Sequence, residues 1–430
     1  MNKKLIVFIL LVTFAVTCIT IFTNRHEDED VNRKLNEKEQ SLWNSTIRVY
    51  LQKDLQSGRD FYDAGHLLMV PLHYAYSSSN EELTSDFKEY FQHFNPAEHK
   101  ELNIHAEGER LSTLQYYYLI SQYIVLAENK GADKQHINDL ADYLLSEIQQ
   151  LWLEVPAWQW GEKDFRGGMR QRVLWKLENE KVDRHYYRAF VDEEFFTFAI
   201  AADLSRHFQN DPVLKDILKI NYQVFQQESH FYADGRWLFQ PGVWSDHPDY
   251  LYAGYHNKKN IQAAKPVEGI AADSSHFHRF PLWITSFIKA YPKGSSQREL
   301  FLNVRQGLEK QFFDKVLVDP DDKKPYYKLN NFMDGRNGLY RWNYATTRNN
   351  GYGPYELSGT FTMGWWVFLG SDRIKYVYAD LAKQFPLPYE AVDLYSGPAK
   401  TKANHFSAAA SNTYNNGFKE ILAVLASKMK

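Results

Sequence analysis

The chain has 430 residues, 44% hydrophobic and 24% charged, a globular composition long enough for one large domain or two smaller ones. A formal net charge of −3 excludes an overall basic field of the kind that attracts nucleic acid. The single cysteine, Cys18, excludes an internal disulfide, and the outlying number is aromatic content, at 16%. Any one aromatic residue is first of all core filler. Trp and Tyr gathered in loops also suit the flat faces of sugar rings.

The chain begins with Lys3 and Lys4, then an apolar run from Leu5 to Phe22. Positive charge ahead of such a run predicts export, with residues 1–22 as a membrane anchor or a signal segment. An anchor fits better than a cleaved signal. Cleavage of the lipoprotein type at Cys18 fits least, because Ala15 and Thr17 stand where a leucine-like and a small residue are usual. The mixed charges over 23–36 read as a polar linker. Residues 37–430 then read as a single helical domain.

Apolar residues recur at helical spacing in "EKEQSLWNSTIRVYLQKDL", "DFYDAGHLLMVPLHYAYS", "RLSTLQYYYLISQYIVLAEN" and "QHINDLADYLLSEIQQLWLEV". The pattern continues in "VDEEFFTFAIAADLSRHF", "DPVLKDILKINYQVFQQESHF", "RFPLWITSFIKAY", "SQRELFLNVRQGLEKQFF", "GTFTMGWWVFLGSDRIKYVYADLAKQF" and "NGFKEILAVLASKMK". No period-2 block is long enough for a β-domain. Four long aromatic connections, 94–110, 154–189, 231–279 and 315–358, interrupt the helices. Connections of that length are functional or disordered, and their Trp, Tyr and Gly content argues for function. The fold class expected is all-α: an (α/α) toroid, either incomplete or a six-hairpin barrel. Its long loops would form a cleft at one end. A helical solenoid is the alternative, weakened by the lack of an internal repeat.

The first two loops offer His105, Glu107 and Glu109, then Trp158, Trp160, Glu162 and Arg166, then Arg184 to Tyr187 and Asp192 to Glu194. Asp192 reads equally as a helix N-cap. The third loop carries Trp237, Trp244, Asp246, His247, Asp249, Tyr250, Tyr252 and Tyr255. It ends in His276, His278 and Arg279, just ahead of a helix expected to start near Phe280, with Pro281 in its first turn. A helix N-terminus beside Arg279 suits a carboxylate or sulfate, though these residues can equally close the loop by hydrogen bonds. The fourth loop holds Tyr340, Arg341, Asn343, Arg348, Asn349, Tyr352 and Glu356. Glu356 reads at least as well as first-turn charge on the next helix as it does as a catalytic carboxylate. No P-loop, dinucleotide fingerprint, H-E-x-x-H, C-x-x-C or G-x-S-x-G is present, so no cofactor and no metal are expected.

The stretch "DHPDYLYAGY", preceded by Asp234-Gly235, resembles a segment of polysaccharide lyases of the hyaluronate and chondroitin type. The resemblance covers about 25 residues, near 234–255. It implies an (α/α) toroid, His247 as neutraliser or base, and Tyr255 as proton-transfer group. It also implies an Arg and an Asn gripping a uronate carboxylate, roles for which Arg279 and Asn343 are the candidates. Here the second Tyr comes one residue early, the Asp-Gly turn lies further from the His, and no β-sandwich portion follows. On this reading Trp158, Trp160, Trp237, Trp244, Tyr250, His276, His278, Tyr340, Arg341 and Tyr352 would bind substrate.

Three functions compete. The first is a lyase cleaving an acidic polysaccharide or oligosaccharide by β-elimination. The second is an inverting glycoside hydrolase, which needs two carboxylates across the sugar bond; Glu356 with Asp246 or Asp249 leads, and Glu107 or Asp192 could substitute. The third is a membrane-tethered glycan-binding protein without catalysis.

Overall fold

The computed structural model describes residues 34–78, 80–131, 133–161, 163–343, 350–398 and 411–430. The expected anchor, Cys18 and nearly all of the linker lie outside them, as do Glu162, Arg348 and Asn349. No helix among the described residues is long and apolar enough to cross a membrane.

The protein is mainly helical. Its first helices are α1 (Glu37–Ser45), α2 (Ile47–Leu51), α3 (Gly58–Leu67), α4 (Met69–Ser77) and α5 (Glu81–Gln92). Next come α6 (Glu107–Glu128), α7 (Lys134–Leu153), α8 (Gly168–Glu178), α9 (Asp192–Leu204) and α10 (Pro212–Glu228). The chain continues through α11 (Ser274–Phe277), α12 (Phe280–Ala290) and α13 (Ser296–Gln311). It ends with α14 (Asp372–Lys383), α15 (Tyr389–Ser396) and α16 (Phe418–Lys428). Side-chain caps fix several starts. Ser57 accepts from Asp60 N, Asn80 from Glu82 N and Leu83 N, and Asp211, followed by Pro212, from Leu214 N.

The helix contacts form a closed circuit. α3 packs on α6, α6 on α9, α9 on α12, and α12 on a turn at 365–369. That turn touches α16, and α16 packs on α4, which continues α3. A second set lies against these: α5 on α4, α7 on α6, α10 on α9, α13 on α12 and α14 on α16. Burial separates the two sets for a physical reason. α9 is buried at every position from Glu194 to Leu204, as a helix covered on all sides must be. α7 buries one stripe, Ile137, Leu140, Ala141, Leu144, Ile148, Leu151 and Trp152, whose Ile and Leu side chains each contribute about 1.5–3 kcal/mol.

Several local expectations need correction. The stretch 359–385 is not one helix: 3₁₀ turns at Ser358–Met363 and Trp365–Leu369 precede α14. Gly364 and Gly370 end those turns at φ +84° and +80°, a conformation a continuing helix cannot contain. Asp192 is the first helical residue of α9, not its cap; Val191 takes the cap position, and its N–H is accepted by Glu194 at 2.8 Å. Loop 154–189 contains α8 and a hairpin of β1 (Ala157–Gln159) and β2 (Lys163–Phe165). Two more antiparallel pairs follow, β3 (Ser229–Phe231) with β4 (Trp237–Phe239), and β5 (Leu317–Val318) with β6 (Lys328–Leu329).

One interior group couples the fold to pH. Lys419 on α16 is fully buried, with no hydrogen-bond partner on Nζ, and its ammonium lies 5.8 Å from the Tyr414 ring. Burial pushes it down to about 7, with Asp63 opposing. Between that value and the ordinary value near 10.5 the unfolded chain binds more protons, so this residue makes stability rise with pH. Lys419→Met should therefore stabilise the protein most below pH 7, with the gain shrinking toward pH 10.5. Thermal melts of both forms across that range check this; a gain independent of pH would contradict it.

Candidate functional site

All four long loops meet. A cavity of about 280 Å³ is lined by Glu107 and Arg110 from the first, Trp158, Gln159, Trp160 and Arg172 from the second, and Tyr340 and Arg341 from the fourth. The third supplies Trp244, His247, Asp249, Tyr250, Asp273 and His276. We call it the tryptophan lobe. An adjoining cavity of about 250 Å³, the arginine lobe, is lined by Arg59, Tyr62, His66, His278, Arg279, Tyr352 and Glu356. His276, Tyr340 and Arg341 line both, so they stand at the junction. Inner helices α3, α6, α9 and α12 all present their N-terminal residues here, from Arg59, Glu107, Asp192 and Phe280, so their positive dipole ends converge on the cleft.

The third and fourth loops hold each other through a small core of their own: Tyr250, Ala253, Ile270, Phe332, Tyr340 and Leu357. Leu339 N donates to Tyr255 O at 3.0 Å, and Arg341 N to Asp249 O at 2.9 Å. Asn331, fully buried, donates to the carbonyls of Gly338 and Gly353 at 2.8 Å each. Gly338 lies so close that a Cβ there would sit 1.7 Å from Ala253 O. Arg341 keeps φ +54° and Gln240 φ +42°, and both line the tryptophan lobe, so backbone strain collects at this cleft.

His276 is held by Asp273. Its Nδ1 lies 2.9 and 2.8 Å from the two carboxylate oxygens. Asp273 also caps α11, accepting from Ser275 N and His276 N, and accepts from Tyr250 OH at 3.0 Å. Burial opposes its ionisation, yet His276, Ser275 and Arg341 together hold the carboxyl well below the usual range. An ionised carboxylate only accepts, so Nδ1 carries the proton and Nε2 of the neutral ring offers its lone pair. The side chain is 36% exposed and faces both lobes.

His247 is arranged oppositely. Its Nδ1 accepts from the backbone N–H of Asp249 at 3.1 Å, so in the neutral ring Nε2 bears the proton. Burial pushes the imidazole below its ordinary range, with Asp249 opposing and Arg341 adding to the push. The ring packs edge-on against Trp160, Tyr186 and Trp244, at centroid distances of 5.2, 4.7 and 5.3 Å. Such a histidine donates; it is not set up to accept a proton.

Arg279 is buried and committed. It donates to Gln115 Oε1 at 3.2 Å, Asp192 Oδ2 at 2.9 Å, Tyr62 OH at 2.7 Å and His66 Nε2 at 2.9 Å. His66 in turn donates from Nδ1 to Tyr62 O at 3.0 Å. Burial, then Arg279, keeps His66 and His278 well below the ordinary histidine range. Arg341 donates to Asp249 Oδ2 at 2.9 Å and remains 30% exposed.

Of the residues expected from the sequence, Trp158, Trp160, Trp244, His247 and Tyr250 line the tryptophan lobe. His278, Arg279, Tyr352 and Glu356 line the arginine lobe. Trp237, Tyr255 and Asn343 fall elsewhere. Trp237 is a core residue with no exposure, packed against Phe225, Phe277 and Phe280. Tyr255 lines neither lobe and donates to Ala263 O at 3.0 Å. Asn343 donates to Tyr252 OH at 2.6 Å and also lines neither. The carboxylate pairs are divided: Glu356 lies in the arginine lobe, bonded to Lys258 at 2.7 Å, and Asp249 in the tryptophan lobe. Asp246 lines neither; it accepts from His185 N at 3.0 Å. Residues missed in the sequence are Asp273, Tyr62, His66, Gln159 and Arg172. Asp273 had a signal, since Asp three residues before His276 fits a short helix cap. Among the described residues no group of three or more His, Cys, Asp or Glu side chains has the arrangement of a metal site. No protein-family model matches the chain, and no curated protein matches it.

Gly338→Ala should cost about 1–3 kcal/mol or more, because its methyl meets a backbone carbonyl that cannot rotate away. It should also weaken ligand binding at the cleft by displacing Arg341. Urea denaturation with a binding titration checks both; an unchanged midpoint would contradict the contact.

Proposed function

We propose that the closed helix circuit is an (α/α) toroid and that its loop end cleaves an acidic polysaccharide by β-elimination. The observation that carries this reading is the Asp273–His276 pair, with Nε2 at the junction of an aromatic lobe and an arginine lobe. Arg59, Arg279 and Arg341 line the arginine lobe, and Glu356 is the one carboxylate among its lining residues. A uronate bound there has its charge offset, which makes its C5 proton more acidic. His276 Nε2 takes that proton. The C4–O bond breaks as the C4=C5 double bond forms, and the imidazolium returns the proton to the leaving oxygen. Asp273 steadies that imidazolium and fixes its tautomer. The next sugar stacks on Trp158, Trp160 and Trp244 in the other lobe. The N-terminal run, basic and then apolar, supports an exported, membrane-anchored protein acting outside the cytoplasm.

These roles revise those implied by the lyase resemblance. His276 replaces His247 as the base, and Arg341 replaces Asn343 in offsetting the carboxylate. A hydrolase remains the second reading because five carboxylates line the tryptophan lobe: Glu107, Asp192, Glu193, Asp249 and Asp273. Glu193 accepts from Arg172, and Asp192 is held by Arg279, Asp249 by Arg341 and Asp273 by His276. Glu107, exposed on the first turn of α6, is the remaining carboxylate for acid or base work.

Digestion of uronate-containing and neutral polysaccharides, followed in the ultraviolet, tests the reading. Elimination gives the absorbance of an unsaturated uronate. New reducing ends without that absorbance would support hydrolysis, and binding without either product would support a non-catalytic receptor. Within the lyase reading, His276→Ala should abolish turnover. Asp273→Asn should lower kcat by about 10²–10⁴ while KM changes little. Tyr255→Phe should leave activity near wild type. Full activity in His276→Ala would overturn the assignment.

A further inference from the structure

The tryptophan lobe contains donors that its own residues leave without partners. In β1, Ala157 and Gln159 are buried and Trp158 is exposed, and Trp158 and Gln159 both line the cavity. Gln159 is 2% exposed, and its Nε2 has no hydrogen-bond partner. Arg172 on α8, 3% exposed, reaches the same cavity. Its Nε donates to Glu194 at 2.9 Å, and its Nη1 to Trp158 O at 2.9 Å and Glu193 at 3.1 Å. Its Nη2 has no partner. A buried guanidinium fixed through Nε and Nη1 and unpartnered at Nη2 is a built feature, because an unpaired buried donor destabilises the protein that carries it.

Five carboxylates line the lobe, but the two guanidinium groups of Arg110 and Arg172 stand together at this wall. Arg110, also buried, lies 4.0 Å from the same Glu193, so two guanidinium groups share that carboxylate. Glu194 is occupied by Lys176 at 2.6 Å. Nη2 and an amide N–H only donate, so they match a group rich in acceptor oxygens better than a hydroxyl. Trp158 and Trp160 stand on either side of Gln159 in the chain and line the same cavity, where a sugar ring would stack.

We propose that Arg172 and Gln159 form a binding site for an anionic substituent, carboxylate or sulfate, on the sugar held in the tryptophan lobe. The proposal rests on the glycan reading but not on elimination. It makes the substrate one that carries an acidic group on this sugar as well as on the reacting one.

Isothermal titration of the wild-type protein with glucuronate, glucose 6-sulfate and glucose tests it, since these monosaccharides have no glycosidic bond to cleave. At least one anionic sugar should bind about tenfold or more tightly than glucose, and which one does tells carboxylate from sulfate. Gln159→Leu should remove most of that preference, and Gln159→Glu, equal in size but charged, should abolish it. Equal affinity for the three sugars, no measurable binding of either anion, or a preference that survives Gln159→Glu would each overturn the proposal. Absence of the unsaturated-uronate absorbance would count against elimination alone and leave this preference intact.

Discussion

The cleft depends on one buried guanidinium. Arg279, at the start of α12, reaches Tyr62 and His66 on α3, Gln115 on α6 and Asp192 on α9. Four inner helices are thereby pinned at the end where they open toward the loops. Taking that charge out of water is costly, and only an almost complete set of partners offsets the cost. The helix N-termini add partial positive charge at the same end, and the acidic first turns of α6 and α9 answer it. The fold thus fixes a rigid rim before any loop chemistry is considered.

On that rim the third and fourth loops build a second, smaller core, and its contents explain why the site is ordered. Tyr250 both packs in that core and donates to Asp273, which in turn sets the His276 ring. Arg341 closes the arrangement through Asp249. The charge is divided: Arg59, Arg279 and Arg341 line one lobe with a single carboxylate, and the other sets five carboxylates beside Arg110 and Arg172, with His276 between the lobes. A polymer lying across both lobes therefore meets aromatic stacking on one side and positive charge on the other.

Much of the helical layout was legible because apolar spacing reports burial directly. α6, α7, α9, α10, α12 and α13 stand where that spacing places them, and Pro281 marks the start of α12 as expected. The stretch 359–385 misled because its apolar residues mimic a helix, while Gly364 and Gly370 break it by conformation rather than by pattern. The loops were legible as aromatic and long; that they meet was not, because no local rule fixes where a 49-residue connection such as 231–279 returns. The contrast between His247 and His276 was also hidden. Both lie in polar, aromatic stretches, and the difference is which neighbour faces Nδ1: a backbone N–H in one, a carboxylate in the other. Trp237 reads like Trp244 in sequence, but β4 turns it into the core.

The most direct measurement is a crystal structure of the His276→Ala protein with an acidic oligosaccharide long enough to span both lobes. The account predicts a glycosidic oxygen beside residue 276, a ring stacked on the Trp158–Trp160 wall, and a carboxylate on the arginine side near Arg341. An oligosaccharide bound away from residue 276, or lying in one lobe with no bond at the junction, would contradict it.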